Sequence, residues 1–213
     1  GYAFKTNVEI EWIDSEQTVE EIIGGLDGVV VPGGFGNRGI EGKILTAQFC
    51  REKNIPYLGI CLGMQVAVID FARHVCGLSD ANSGEFDELS RNKVIDFLPD
   101  QSHQVDKGGT LRLGAYPCRI AEGTKMAACY GKAEITERHR HRYEFNNDYR
   151  QLLADAGLVI SGTSPDGSIV ETVEVPGNDF FVGVQFHPEF KSRPNKPHPL
   201  FLGLIESALK GKI

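Results

Sequence analysis

Two short stretches hold side chains that could do covalent chemistry together. Gly59-Ile60-Cys61-Leu62-Gly63 places a cysteine between glycines at two positions on either side. This is the G-x-S-x-G pattern of a strand–turn–helix elbow, with sulfur in place of oxygen. The glycines permit a turn tight enough for the central side chain to stand alone. The start of the following helix favours a thiolate over the thiol, whose ordinary pKa is about 8.5. A buried structural cysteine in a glycine-rich turn is the plainer reading, and the flanking pattern is too specific for it.

A cysteine nucleophile needs a base, and the base needs a group that fixes its tautomer. Six histidines are available: His74, His103, His139, His141, His187 and His198. His74 falls on an expected helix, His103 lies in a polar loop and His198 opens the last expected helix. His139 and His141 belong to the basic run Arg138–Arg142. His187 follows the apolar run Phe180–Phe186 and precedes Pro188-Glu189. In extended chain, residues two apart point to one side with Cα atoms roughly 6–7 Å apart. Glu189 is thus placed to hold the His187 imidazole.

Gly33-Gly34-Phe35-Gly36-Asn37-Arg38-Gly39 contains a formal G-x-G-x-x-G match. A dinucleotide site would also want an acidic residue at the tip of the next strand, and that tip is Gly59-Ile60-Cys61. The loop reads instead as exposed backbone N–H groups able to bind an anion or a developing oxyanion. Cys50, Cys76, Cys118 and Cys129 read as small buried apolar residues. No C-x-x-C pair occurs, so neither a zinc site nor a redox pair is expected, and no metal ligand set is assigned.

These residues need a scaffold. Val8–Ile13 alternates with period two, as a strand does. Ser15–Ile23 reads as a helix, Gly28–Val31 as a buried strand, Glu41–Lys53 as a helix, Pro56–Ile60 as a second buried strand and Gly63–Val75 as a helix. That alternation implies α/β architecture: an open, mainly parallel central sheet with helices on both faces and a nucleophile elbow at Cys61. Further on, Lys93–Leu98, Thr110–Ile120, Ala133–Glu137, Leu158–Ser161, Ser168–Val175 and Phe180–Phe186 read as strands. Pro165-Asp166-Gly167 reads as a hairpin turn, and Tyr149–Ala156 and His198–Leu209 as helices. The 213 residues fit one domain, 1–213. A net charge of −7 argues against gripping nucleic acid or an anionic membrane over a broad face. No apolar run approaches the ~20 residues of a spanning helix. Glycine supplies 25 residues, well above the average share of about 7%, and much of the excess sits in the two clusters above.

Gly59-x-Cys61-x-Gly63-x-Gln65 with a distant His187-Pro188-Glu189 resembles the class I glutamine amidotransferases, which carry a Cys-His-Glu triad on an open α/β fold. Pro32–Gly36, Asp80–Asp87, Leu111–Gly114 and Arg138–Glu144 narrow the likeness to the CTP synthase branch, from about Asp27 to Arg193. Gly84 stands where that pattern has threonine. The resemblance implies hydrolysis of L-glutamine to glutamate and ammonia through a cysteine thioester, with Cys61, His187 and Glu189 catalytic. It implies an oxyanion hole from the N–H groups of Gly34 and Leu62, and contact with glutamine by Gly34, Phe35, Gln65, Glu85 and Arg142. Among these, Glu85 would hold the α-ammonium and Arg142 the α-carboxylate. It implies no cofactor in this chain; ATP, UTP, Mg and the activator GTP would serve the whole enzyme, with GTP at the domain interface near Phe35 and Arg142. The implied partner is an N-terminal synthase (amidoligase) part that aminates UTP to CTP, in a homo-oligomeric cytoplasmic enzyme. That part is missing here, so Gly1 reads as a cut end, and low activity is expected without it. Glutaminase parts of other class I amidotransferases and γ-glutamyl hydrolases share the Cys61 and His187 motifs but not Arg138–Glu144. An intact triad argues against a non-catalytic regulatory domain.

Overall fold

The computed structural model describes residues 1–16, 23–97 and 112–211. The β-branched run Val29–Val31 (β1) leads the sheet, followed by helix α1 (Ile40–Lys53), strand β2 (Tyr57–Ile60) and helix α2 (Leu62–His74). β1 and β2 are parallel, and β10 (Phe181–Val184) lies parallel on the other side of β2. The sheet then continues through β9 (Val170–Glu174), β8 (Val159–Thr163), β5 (Arg112–Ile120) and β6 (Glu134–His141). Each of these strands is antiparallel to its neighbour.

The expected mainly parallel sheet is therefore parallel only at the β1–β2–β10 end. For β8, β9 and β10 the cause is connection length. Parallel strands need a crossover of about a dozen residues or more, whereas a tight turn can join only antiparallel ones. Pro165-Asp166-Gly167 makes such a turn between β8 and β9, with Gly167 at φ 77° and its N–H bonded to Ser164 O. A second small sheet, unforeseen from the sequence, joins β3 (Asn82–Ser83), β4 (Lys93–Phe97) and β7 (Tyr143–Phe145). Helices α3 (Lys125–Tyr130), α4 (Arg150–Asp155) and α5 (Pro199–Lys210) complete the fold. The short α3 has no strong periodicity and is set by its cap, with Thr124 Oγ1 accepting from Ala127 N.

Helices cover both sheet faces, as expected. Tyr57 and Phe181 stack at 4.4 Å on one face, in the core shared with α1 and α2. Leu58, Ile60, Val182 and Val184 enter the opposite core with Leu200 and Leu204 of α5. This is the period-two alternation of a sheet buried on both sides.

Val8–Ile13 does not form the expected strand. It has no strand partner among the described residues, and Ile10 and Trp12 are 73% and 90% exposed. Alternation alone does not make a strand; the segment must also pair with another, and Val8–Ile13 does not. β1 stands at the end of the sheet with Val30 exposed. The helix expected over Ser15–Ile23 falls largely outside the described residues, as do Leu98, His103 and Thr110–Leu111.

Helix α2 lies unusually close to the strands. It is buried along Leu62–Ala72. A Cβ at Gly63 would overlap the Val31 carbonyl oxygen, and one at Gly59 would stand 2.6 Å from the Gly63 carbonyl. The elbow glycines thus serve the seating of the helix as well as the turn. Gly63→Ala is expected to cost roughly 3 kcal/mol, the upper end for overpacking a backbone contact. The urea midpoint of the variant measures this; an unchanged midpoint would remove the close-approach account.

Candidate active site

Cys61 joins β2 to α2 at φ 52°, ψ −100°. It shares a positive φ with only Lys5 and Asn54 among the described non-glycine residues. Its N–H donates to Val184 O at 2.7 Å, which ties the elbow to β10. Leu62 begins the helix, so its N–H belongs to the first turn, where donors lack an intrahelical acceptor. Gly34 packs against Leu62, a Cβ there reaching 3.1 Å from Leu62 Cδ2. The two N–H-bearing segments proposed from sequence as an oxyanion hole are thus neighbours.

His187 follows β10, and its N–H donates to Arg138 O on β6 at 2.8 Å. Its Nδ1 meets Glu189 Oε1 at 2.6 Å. Its Nε2 is buried without a hydrogen-bond partner. Gly33 lies against this pair: a Cβ there would stand 2.7 Å from His187 Cε1 and 3.5 Å from Cys61 Cβ. Burial opposes a charge on the His187 ring, but the Cys61 sulfur and the Glu189 carboxylate outweigh it and carry its pKa up to about 9. An imidazolium beside a cysteine sulfur, with its other nitrogen on a carboxylate, can return a proton to a leaving group.

The other residues singled out converge on one small cavity. Gly34, Phe35, Cys61, Gln65, Glu85 and Arg142 line it together with His141 and Tyr143. Glu85 follows β3, and its Oε1 accepts from Gly36 N at 3.1 Å. Burial raises the Glu85 pKa, partly opposed by the Gly36 N–H and Arg142. Arg142 sits where the chain leaves β6 for β7 and so passes from the large sheet to the small one. Its Nε is buried without a hydrogen-bond partner. The cavity therefore holds a carboxylate, a guanidinium and a thiol. That set matches an α-amino acid carrying an electrophilic carbonyl. Its volume is about 20 Å³, room for about one water on the same measure. Phe35, 56% exposed with the Arg140 guanidinium 5.4 Å from its ring centre, borders it. Admitting an amino acid requires this rim to part.

Sequence reasoning missed the polar layer behind the cavity. His139 Nδ1 and His141 Nε2 are 3.0 Å apart. Burial and the nearby Arg112 charge lower their pKa values to about 2 and about 3, so both are neutral. Arg112 Nη2 donates to Glu171 at 2.6 Å, and Glu144 lies beside Arg112. Burial raises Glu144 to about 8 against the pull of Arg112. The alternating burial of β6 was the available signal: His139 and His141 point inward while Arg138 and Arg140 point out. Gln185, two residues before His187, was also passed over; its Nε2 lies 3.6 Å from Cys61 Sγ. Burial pushes the Cys50 and Cys118 thiols up to about 12 and Cys129 to about 11. His198 caps α5 through Leu200 N, and His74 pairs with Asp70. Gly84, the departure from the expected threonine, faces Asp96: a Cβ there would stand 2.8 Å from its Oδ1.

An elbow cysteine, a carboxylate-held histidine and a glycine-loop wall on this sheet define a class, and the family model for glutamine amidotransferase class-I matches residues 1–207. The chain belongs to that family. Within it, the likeness is to CTP synthase. The "CTP synthase" of Carboxydothermus hydrogenoformans is 58% identical over 214 residues, covering 99% of this chain and 40% of the relative. That of Staphylococcus saprophyticus is 57% identical, covering 98% and 40%. The glutaminase domain of Trypanosoma brucei CTPS, solved with bound acivicin, is 42% identical at a TM-score of 0.92, covering 98% of this chain and 83% of that one. A GMP synthase component from Thermoplasma acidophilum shares the fold, at 20% identity and a TM-score of 0.60. The chain spans about 40% of the length of the curated relatives it matches.

The electrostatics give a titration. Because the His187 pKa is raised, its charged form persists through neutrality and is lost as pH climbs through about 9. Glu189→Gln removes one cause and moves that midpoint down. Imidazole NMR across the alkaline range checks both; a His187 midpoint near the ordinary 6.5, unmoved by the variant, would contradict the geometry.

Proposed function

We propose that this chain is the ammonia-producing part of a CTP synthase, hydrolysing L-glutamine at Cys61. The observation that carries this reading is the convergence on one cavity of Cys61, an amphoteric Glu85/Arg142 pair and the glycine loop, beside His187 and Glu189. Cys61 thiolate adds to the side-chain amide carbon. The oxyanion is received by Leu62 N–H and Gly34 N–H, donors of a kind typically contributing about 3–4 kcal/mol each to transition-state stabilisation. The His187 imidazolium gives its proton to the departing nitrogen, ammonia leaves, and a γ-glutamyl thioester remains. Neutral His187 then takes a proton from water as it attacks that thioester, and Glu189 holds the ring throughout. Glu85 takes the α-ammonium and Arg142 the α-carboxylate. Phe35 closes the rim, and Gln65 contributes its carbonyl oxygen, since its amide nitrogen is already engaged with Tyr143 O and Gln185.

The remainder of the enzyme lies beyond this chain. Relatives more than twice its length support a separate synthase part, where ATP, Mg and UTP would act. GTP is assigned to the interface near Phe35 and Arg142, and the whole enzyme to a cytoplasmic homo-oligomer. All five cysteines are unpaired, and no described helix is long and apolar enough to cross a membrane.

Incubation with a glutamine-like chloroketone is expected to give one adduct, at Cys61, by peptide mass mapping; a folded protein without it would overturn the reading. The nearly closed cavity predicts weak glutaminase activity for the chain alone, rising at least tenfold when the synthase part and its nucleotides are added. Equal ammonia release with and without them would refute the closed-resting-state account.

A further inference from the structure

We infer that Gln185 is a positioning residue for the nucleophile, an N–H donor to the Cys61 sulfur from outside the triad. The inference rests on the reading of Cys61 as nucleophile and adds to it a group outside the triad. Gln185 is fully buried, and its backbone N–H is fixed to Glu171 O at 2.8 Å. Its Nε2 lies 3.6 Å from Cys61 Sγ, and its Oε1 lies 3.3 Å from Gln65 Nε2. Gln65 Nε2 also lies 3.0 Å from the Tyr143 carbonyl oxygen.

The sense of this relay follows from its far end. A backbone carbonyl can only accept, so the end of Gln65 facing Tyr143 must be its nitrogen. That nitrogen's second hydrogen points to Gln185, so the facing atom there is the oxygen. The Gln185 nitrogen is then turned toward Cys61. One main-chain carbonyl thereby fixes the orientation of two buried amides and delivers an N–H to the sulfur. A thiolate accepts that bond far better than a thiol does, because hydrogen bonds to charged groups are the stronger ones. When the sulfur bonds carbon in the thioester, it becomes a poor acceptor and the N–H contact weakens. The amide therefore favours the thiolate at both ends of the cycle, as attacking group and as leaving group.

Other groups around the sulfur carry charge or titrate: His187 with Glu189 behind it, His141, Arg142 and Tyr143 from the β6–β7 junction, and Glu85 from the loop after β3. Gln185 does not titrate, so its contribution is separable from theirs by pH. Gln185→Met keeps the length and removes the donor. Iodoacetamide alkylation of Cys61 in this chain, followed by mass spectrometry against pH, is expected to slow about tenfold or more at neutral pH. The midpoint of its pH profile should move upward. A variant with a lower melting temperature but an unshifted profile would show a merely structural role and overturn the inference. Side-chain amide NMR of the unmutated chain is independent of folding in the variant. The Gln185 N–H resonances are expected to move when Cys61 is alkylated, and unchanged resonances would refute the contact. If Cys61 in the unmutated chain reacts no faster than Cys50, Cys118 and Cys129, the nucleophile reading itself fails; if it reacts selectively and Gln185→Met matches it, only the present inference does.

Discussion

The geometry of this site is referred to the backbone of one residue. A non-glycine residue at φ 52°, ψ −100° occupies a sparsely populated region and costs of order 1–3 kcal/mol. Such a conformation survives only where the surroundings over-determine it. Here the Cys61 N–H is bonded to β10, and Gly59 and Gly63 let helix and strand backbones close around the turn. The same β10 runs on into Gln185 and His187. The strand that restrains the cysteine thus also delivers its neighbours, and Cys61, His187 and Gln185 share one rigid reference.

The opposite wall is built differently. His187 is pinned to β6 through Arg138 O, and the β6 chain then leaves the large sheet at Arg142 to enter the small one as β7. That change of sheet brings Arg142 and Tyr143 over Cys61, with Glu85 arriving from β3 of the same small sheet. Behind them lie Arg112, Glu171 and Glu144, buried together with two neutral histidines. Buried ion clusters of this kind contribute little net stability relative to apolar packing, yet removing one member leaves an uncompensated charge. The arrangement fixes the course of β6, from which two cavity walls depend.

How much of this was legible in the sequence varied with the range of the interactions. Cys61, its flanking glycines, β1, β2 and α2 are written locally, in apolar runs and a turn. His187 and Glu189 were legible because only Pro188 separates them. Glu85, Gln65 and Arg142 were legible only through family likeness, since what joins them is the meeting of two sheets. Extending the parallel pattern of the first 75 residues to the whole sheet failed, because β8, β9 and β10 are joined by short turns and β5 and β6 pair antiparallel around α3. Val8–Ile13 failed for the opposite reason: its alternation is genuine, but pairing is a property of two segments. Gln185 went unread because an amide two residues before a histidine carries no chemistry until its partners are known.

Among the described residues the outer edge of β1 is unpaired, with a consequence remote from the cavity. The three residues of β1 are all valine, with no charge or inward lysine to blunt the row of main-chain donors and acceptors. Natural sheets guard such rims because they template addition of foreign strands. Pro32, directly after β1, is the nearest guard. The rim holds none of the candidate site residues, so a charge placed on Val30 would blunt it without touching the cavity.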